Sequence, residues 1–179
     1  MSLRFELSIP VTPVDHHLGP THAPVTVVEY GDFECPNCKQ AAPAVKILLS
    51  RHPGKVRVVW RNFPLEEVHP HALQAALAAE AAAGQSRFWP MHDLLFETQN
   101  RLKRVQLRGY AERLELDLAR FDADMDEAPY LQRVREHVDG GRASGVRATP
   151  TFFVNGVIQD VSFGLDHLFE RVDAELRAK

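Results

Sequence analysis

The chain has 179 residues, which is enough for one substantial core with at most a subdomain added to it. Hydrophobic residues make up 45% of the chain and charged residues make up 25%. The net charge is −3, and the Lys and Arg residues are not clustered. The charge pattern therefore does not indicate a nucleic-acid partner. No apolar run approaches the roughly 18 residues that a membrane-spanning helix needs.

Residues 1–24 are interpreted as an N-terminal extended arm, because prolines recur through 10–24. Its histidines, His16, His17 and His22, are expected to be solvated. The start of the chain lacks the apolar segment of a secretory signal, so the sequence as written predicts a cytoplasmic protein. If residues 1–3 replace a leader or an upstream domain, a periplasmic or other extracytoplasmic location is expected instead.

A strand, a helix and a second strand follow in order. Residues 25–30 are β-branched and apolar between Pro24 and Gly31, which predicts a buried strand. A helical pattern covers 36–51, and the proline within it at position 43 is expected to kink the helix. Residues 56–60 predict the second strand. Because the connections are short, the strand, helix and strand are expected to form a right-handed βαβ unit, in which the two strands are parallel.

Residues 65–143 carry almost no strand signal. Because a structureless loop of this length does not occur in a compact domain, we interpret the stretch as a helical insertion. Helical patterns within it cover 71–83, 90–100, 106–114 and 129–138.

Strand character returns after the insertion. Residues 151–154 and 157–158 predict a hairpin closed by the two-residue turn Asn155-Gly156. An amphipathic helix is expected over 165–176. The sequence therefore predicts an α/β domain made of 25–64 and 144–179, interrupted by the insertion at 65–143.

Both cysteines of the chain stand in one tetrapeptide, Cys35-Pro36-Asn37-Cys38. Two thiols at this spacing form a disulfide reversibly or bind a metal. Without further cysteines for a zinc site or a structural framework, redox exchange is the favoured interpretation. Two alternatives stay open: an inert pair, and a zinc site completed by histidines of the insertion. The histidines considered are His69, His71 and His92.

The order of residues in this motif assigns different roles to the two thiols. Pro36 is a favoured first residue of a helix, which puts Cys35 at the N-cap. Unpaired N–H groups and the helix dipole stabilise a thiolate there, and the thiolate is the nucleophile of disulfide exchange. Cys38, one turn further on, is expected to be less exposed. We therefore predict that Cys35 reacts with the partner and that Cys38 resolves the mixed disulfide.

One residue outside the motif, Glu29, is a candidate for the same site. Glu29 ends an apolar strand six residues before Cys35. Burial raises the pKa of a carboxyl group, which would make Glu29 a proton acceptor for Cys38, whereas an exposed Glu29 would have no such role. Thr149-Pro150 precedes the hairpin, and only about 5–6% of X-Pro bonds in folded proteins are cis.

Other large or charged side chains are assigned to packing and local pairing. The aromatic residues of the second strand and the insertion are expected in the core rather than on a surface for unfolded substrates. They are Trp60, Phe88, Trp89 and Phe96. Arg61, after the second strand, is expected to be solvated or locally paired.

Two motifs far apart in the chain, GDFECPNC at 31–38 and TPTF at 149–152, carry a family resemblance. Together they resemble the DsbA-like thiol–disulfide oxidoreductases of the thioredoxin superfamily, over about residues 15–178. The resemblance implies a thioredoxin-like α/β fold with a central mixed sheet and an inserted helical subdomain. It implies that Glu29 is the family's buried acid, that Pro43 is its kinking proline and that Pro150 is its cis-proline. The backbone around Thr149 would then pair with an extended substrate segment.

Further stretches are similar to a branch of this family in which some members are attached to sodium/proton antiporters. They are WRNFPL at 60–65, HPHA at 69–72, FWPMHD at 88–93 and TPTFFVNG at 149–156. One position departs from the family's best-known oxidants, which carry histidine where this chain has Asn37. An uncharged amide stabilises a thiolate less, so we expect the pKa of Cys35 to lie below the free-thiol value of about 8.5 but to be less depressed than in those oxidants.

The sequence and the resemblance together predict a protein dithiol–disulfide oxidoreductase that acts on protein or peptide thiols and disulfides. Cys35, Cys38 and Glu29 would carry the chemistry, and the substrate would contact four further residues, Pro36, Asn37, Thr149 and Pro150. A second hypothesis is a redox-sensing or regulatory module that acts on one partner, for example a transporter, with little general turnover. No metal or organic cofactor is implied, and an unidentified recycling partner would supply the redox equivalents.

Overall fold

A computed structural model describes residues 6–178 of the chain. The first five residues, on which the expectation about a leader depends, lie outside the described part. The chain divides into two compact units. The first unit has three segments: the residues up to Gly31, then Gln40–Arg61, and then the residues from Asp139 onward. The second unit has two segments, Asp32–Lys39 and Asn62–Val138. The division proposed from the sequence, with an arm at 1–24, stays a prediction.

The strands of the described residues form one mixed, five-stranded sheet. In chain order they are β1 (His16–Leu18), β2 (Val25–Gly31), β3 (Val56–Asn62), β4 (Thr151–Val154) and β5 (Val157–Gln159). Their spatial order is β1-β3-β2-β4-β5. β1 runs antiparallel to β3, and β4 runs antiparallel to both β2 and β5. The predicted strands and the hairpin turn at Asn155-Gly156 are confirmed.

The helices α1 to α7 follow the same chain order. They are α1 (Pro36–Arg51), α2 (Ala72–Ala83), α3 (Phe88–Glu97), α4 (Arg104–Arg113), α5 (Leu118–Glu127), α6 (Leu131–Ala143) and α7 (Asp166–Arg177). α1 continues through Pro43. None of the helices within residues 6–178 is long and apolar enough to cross a membrane.

The core of the first unit lies between the sheet and two helices. Alternate residues of β2, β3 and β4 pack with apolar residues of α1 and α7. Because side chains alternate across a strand, the valines at 25 and 27 reach this layer together. The buried residues of the cluster are Val25, Val27, Ala41, Val45, Leu48, Val56, Val58, Phe152, Val154, Leu168 and Val172.

The second unit contains helices without a strand of its own beyond the end of β3. The alanine-rich α2 is its centre and contacts α3, α4 and α5. Most residues of α2 are buried, since alanine loses no side-chain entropy and lets neighbouring helices approach closely. The sequence did not predict α5 as a separate helix. Asp117, whose side chain accepts a hydrogen bond from the backbone N of Arg120, caps its start.

Part of the segment predicted as an extended arm forms the strand β1, which pairs with β3. His16 pairs with Trp60 of β3, and His17 pairs with Val59. Both histidines are half-buried, so the expectation that they are solvated is wrong for these two, whereas His22 is exposed. Burial, reinforced by the charge of Arg57, lowers the pKa of His17.

Arg61 anchors this part of the chain to the sheet. Its side chain is 3% exposed, and its Nε and Nη2 each donate to the carboxylate of Asp15 at 3.0 Å. It also donates to the carbonyl oxygen of Ile9 at 2.8 Å and to the hydroxyl of Tyr30 at 3.1 Å. Burial lowers the pKa of Arg61, but the hydrogen bonds with Asp15 and Tyr30 outweigh burial and the pKa is raised. Arg61 is therefore locally paired and buried.

Candidate functional site

The two cysteines lie at the start of α1. The helix begins at Pro36, and the carbonyl oxygen of Cys35 accepts its first hydrogen bond, from the backbone N of Lys39 at 3.2 Å. Cys35 is thus the N-cap, as predicted. Both residues are thiols rather than a disulfide. Cys35 is 5% exposed and Cys38 is 0% exposed, so Cys35 is the one that reaches the surface. Both positions between them are exposed.

A tight turn at Asp32 shapes the segment before the helix. The backbone N of Cys35 donates to the carbonyl oxygen of Asp32 at 3.2 Å. The Asp32 carboxylate accepts from the backbone N of Glu34 at 2.7 Å. The backbone N of Asp32 in turn donates to Sγ of Cys38 at 3.5 Å. A donor aimed at this sulfur favours its anionic form.

Two carboxylates of the motif hold the loop at 65–71 against the cysteine segment. The Asp32 carboxylate accepts from the backbone N of Leu65 at 2.9 Å and lies 2.7 Å from Nδ1 of His69. Glu34 accepts from the backbone N of His71 at 2.6 Å and lies 2.9 Å from its Nδ1. His71 is also the N-cap of α2. These histidines therefore fix the segment that carries the thiols.

An aromatic cluster holds Phe33, the residue between the two carboxylates. The Phe33 ring is buried, with its centroid 5.2 Å from that of Phe96 and 5.6 Å from that of His92. Phe88 and Trp89 pack on the same histidine. Of the aromatic residues assigned to the core, only Trp89 is half-buried, and the others are buried.

The side-chain amide of Gln99 also holds the backbone of the cysteine segment. Its Nε2 donates to the carbonyl oxygen of Cys35 at 2.8 Å and to that of Phe33 at 3.0 Å. A primary amide has two N–H donors. Both are therefore used on the segment that leads into α1.

The remaining candidate residues belong to the other compact unit. Glu29 is 3% exposed on β2 and is paired in register with Phe152. The alternative of an exposed strand residue is therefore wrong, while its role as a proton acceptor stays a proposal. The Thr149–Pro150 peptide bond is cis. Thr149 is buried and Pro150 is half-buried.

The described residues do not form the zinc site that was considered as an alternative. Over 6–178, no group of three or more His, Cys, Asp or Glu side chains is placed to hold a metal ion. Each of the three histidines from which this alternative would draw two ligands has a carboxylate as a neighbour instead. His69 contacts Asp32, His71 contacts Glu34 and His92 contacts Asp93.

The residues that hold the cysteine motif in place were not predicted from the sequence. Asp32 and Glu34 share an i, i+2 spacing with His69 and His71, and that match could have suggested the two pairs. Gln99 gave no such signal, because a single glutamine after a helix is ordinary. The thiol pair lies at the N-terminal end of a helix that follows a strand of a mixed sheet, and a helical region is inserted later in the chain. This arrangement defines a thioredoxin-fold protein of the DsbA-like class.

The sequence comparisons agree with this class. The profile of the family described as Thioredoxin matches residues 11–174, and the chain belongs to that family. A protein of Salinispora arenicola named Na(+)/H(+) antiporter NhaA 1 is 52% identical over 164 residues, which cover 91% of this chain and 25% of that protein. A protein of Herminiimonas arsenicoxydans named Na(+)/H(+) antiporter NhaA is 45% identical over 84% of this chain and 24% of its own length. The chain spans about a quarter of the length of these curated relatives.

Solved structures show the same fold. BdbD from Bacillus subtilis, in its oxidised form, has a TM-score of 0.80 and 26% identity, covering 91% of this chain and 93% of that one. A thioredoxin-like oxidoreductase from Silicibacter pomeroyi has a TM-score of 0.81 and 27% identity, covering 94% and 95%. The α-DsbA1 protein of Wolbachia pipientis, at 20% identity and a TM-score of 0.79, agrees in fold. Together these likenesses support a thiol–disulfide oxidoreductase at the general level.

Proposed function

We propose that this chain exchanges a Cys35–Cys38 dithiol or disulfide with protein or peptide thiols and disulfides. The observation that carries the proposal is the position of the pair, with Cys35 as the N-cap of α1 and Cys38 within its first turn. At a helix N-terminus the free N–H groups and the dipole stabilise a thiolate. The amide of Asp32, directed at Cys38, adds a further donor.

The difference in burial supports separate roles for the two sulfurs. When the dithiol acts, the Cys35 thiolate attacks a disulfide of the partner, and one partner sulfur leaves with the electron pair. The Cys38 thiolate then attacks the Cys35 sulfur, which forms the intramolecular disulfide and releases the second partner sulfur. Two electrons pass to the partner. In the reverse direction a partner dithiol reduces the disulfide, and the difference in reduction potential decides which direction prevails.

Five further residues are proposed to assist this exchange. Pro36 and Asn37 are exposed between the thiols and are proposed to contact the partner. Glu29 is proposed to accept the proton of Cys38, since it is a buried carboxyl group six residues before the motif. Thr149 and Pro150 are proposed to offer backbone to an extended partner segment, on the strength of the family resemblance.

The experiment that tests the proposal uses glutathione disulfide as the partner. Cys38→Ala should accumulate a mixed disulfide on Cys35, detected by mass spectrometry of the intact protein. Cys35→Ala should form an adduct at least about tenfold more slowly, because Cys38 is fully buried. Equal rates for the two variants would contradict the assignment of roles. A wild-type protein that forms neither an adduct nor an internal disulfide would contradict the proposed function.

A second candidate function is suggested by the antiporter names of the relatives, of which this chain covers about a quarter. A redox module that serves one transporter would carry the same cysteines. Catalysed reduction of insulin separates the two hypotheses, because a general oxidoreductase turns over this unrelated substrate. A wild-type protein that leaves insulin reduction at the uncatalysed rate, while Cys38→Ala traps one membrane transporter, would favour the module.

A further inference from the structure

The amide of Gln99 fixes the backbone of the segment that carries the attacking thiol. Its Nε2 lies 2.8 Å from the carbonyl oxygen of Cys35 and 3.0 Å from that of Phe33. Gln99 comes two residues after the end of α3. The ring of Phe33 packs on Phe96 of the same helix. One helix and the residues after it therefore hold both the ring and the backbone of this segment.

The two thiols differ in what else fixes them. Cys38 lies within the first turn of α1, and its sulfur accepts from the amide of Asp32. Cys35 lies outside the helix, where its carbonyl oxygen accepts from the backbone N of Lys39 and its own backbone N donates to the carbonyl oxygen of Asp32, both at 3.2 Å. The shorter bond from Gln99 is the second constraint on the carbonyl of Cys35. Cys35 thus depends on Gln99 for its placement more than Cys38 does.

The placement of Cys35 matters most in the second chemical step. A disulfide forms only when the Cα atoms of its two cysteines lie within about 4.4–6.8 Å, in a narrow range of dihedral angles. The rate of an intramolecular attack depends on how well the reacting atoms are held in that geometry. We propose that Gln99 is a positioning residue that holds Cys35 for attack by Cys38, an inference that rests on the proposed function.

The step affected is the resolution of the mixed disulfide. The Cys38 thiolate attacks the Cys35 sulfur and forms the Cys35–Cys38 disulfide. The bond between Cys35 and the partner sulfur breaks, and its electron pair leaves with the partner sulfur, which takes a proton from water. The first step, attack of Cys35 on the partner, needs no alignment with Cys38.

The experiment measures both steps by stopped-flow mixing of the reduced protein with glutathione disulfide, followed by mass spectrometry of quenched samples. Gln99→Met keeps the length of the side chain and removes both donors. Gln99→Glu keeps the shape and replaces the donors with a carboxylate. We expect each variant to slow resolution about tenfold, because both hydrogen bonds from the Gln99 amide to the cysteine segment are lost, and to change the first step less than about twofold.

The chain offers a matched control in Gln85. Its amide also clamps a backbone segment, donating to the carbonyl oxygen of Asp117 at 3.2 Å and accepting from the backbone N of Asp117 at 2.8 Å. Gln85→Met removes two hydrogen bonds of the same kind. It should lower the thermal midpoint while leaving the resolution rate within about twofold of the wild type.

The outcomes separate the inference from the function on which it rests. Folded Gln99 variants that resolve the mixed disulfide at the wild-type rate would overturn the positioning role and leave the proposed function intact. A slowdown of the same size in Gln85→Met would also overturn it, since the effect would then follow stability. If Gln99→Met does not fold, the isosteric Gln99→Glu decides. A wild-type protein without any exchange would overturn the proposed function itself.

Discussion

The carboxylate of Asp32 lies 2.7 Å from Nδ1 of His69, and the Asp32 side chain is fully buried. The same carboxylate accepts from the backbone N of Glu34, the residue directly before Cys35, and from that of Leu65. One side chain therefore links the cysteine segment to the loop at 65–71. A buried acceptor that serves several donors is costly to remove, because each donor is left unsatisfied.

Asp32→Ala should lower the free energy of unfolding by about 3 kcal/mol, measured by urea denaturation, since hydrogen bonds to a charged group are worth about 1.5–3 kcal/mol. Asp160→Ala is the matched control. The Asp160 carboxylate accepts from the backbone N of Ser162 at 2.9 Å, just as Asp32 accepts from the residue two positions after it, but Asp160 is exposed. Its removal should leave the urea midpoint unchanged. Equal midpoints for the two variants would show that the Asp32 contacts do not stabilise the fold.

Gly31→Ala should destabilise the protein by about 1–3 kcal/mol, the usual cost of overpacking a core. A Cβ at this position would lie 2.2 Å from Cη2 of Trp60, so the buried ring would have to shift. Gly109→Ala, inside α4, meets no atom within 4 Å and should stabilise the protein by about 0.5–1 kcal/mol. Thermal midpoints that shift in the same direction for both variants would contradict this explanation.

Arg61→Leu should cost about 3–5 kcal/mol of unfolding free energy, because it removes the cation that pairs with the buried carboxylate of Asp15. The exposed pair of Arg108 and Asp122 provides the control, and Arg108→Leu should cost less than about 1 kcal/mol. Arg61→Leu combined with Asp15→Leu should be less destabilising than the sum of the two single changes. Additive losses would mean that the two side chains are not coupled.

Glu29→Gln tests the proposed proton acceptor. We expect it to slow the formation of the Cys35–Cys38 disulfide from the mixed disulfide at least about tenfold near neutral pH, because general base catalysis contributes about 10²–10⁴-fold. Glu80→Gln is a suitable control, since Glu80 is another buried glutamate and is paired with Arg133. It should alter stability without altering this rate. A Glu29→Gln rate equal to that of the wild type would remove Glu29 from the mechanism.

Local patterns were sufficient to predict the strands β2 to β5, the hairpin turn and the N-cap position of Cys35. Asn155-Gly156 specifies a tight turn by its own backbone preferences, and its residues have φ values of 46° and 84°. Pro36 starts a helix for a comparably local reason. Such features need no knowledge of distant residues, and the structure confirms them.

Features that depend on distant residues were missed or left open. β1 forms beside β3, where Arg61 also binds Asp15, a contact between residues 46 positions apart. Gln99 meets the carbonyl oxygen of Cys35 across 64 positions. Neither contact leaves a periodic pattern, since one side chain suffices for each. α5 was missed although Leu118, Phe121 and Met125 recur at helical spacing, and Phe121 and Met125 are buried.

The reduction potential of the Cys35–Cys38 pair, measured by equilibration with glutathione buffers, tests the central claim most directly. We expect reversible two-electron behaviour, with a potential more negative than the roughly −120 mV of a strong DsbA-type oxidant, because Asn37 supplies no charge to the thiolate. Asn37→His should move the potential in the oxidising direction. A pair that forms no disulfide in any of these buffers would contradict the account.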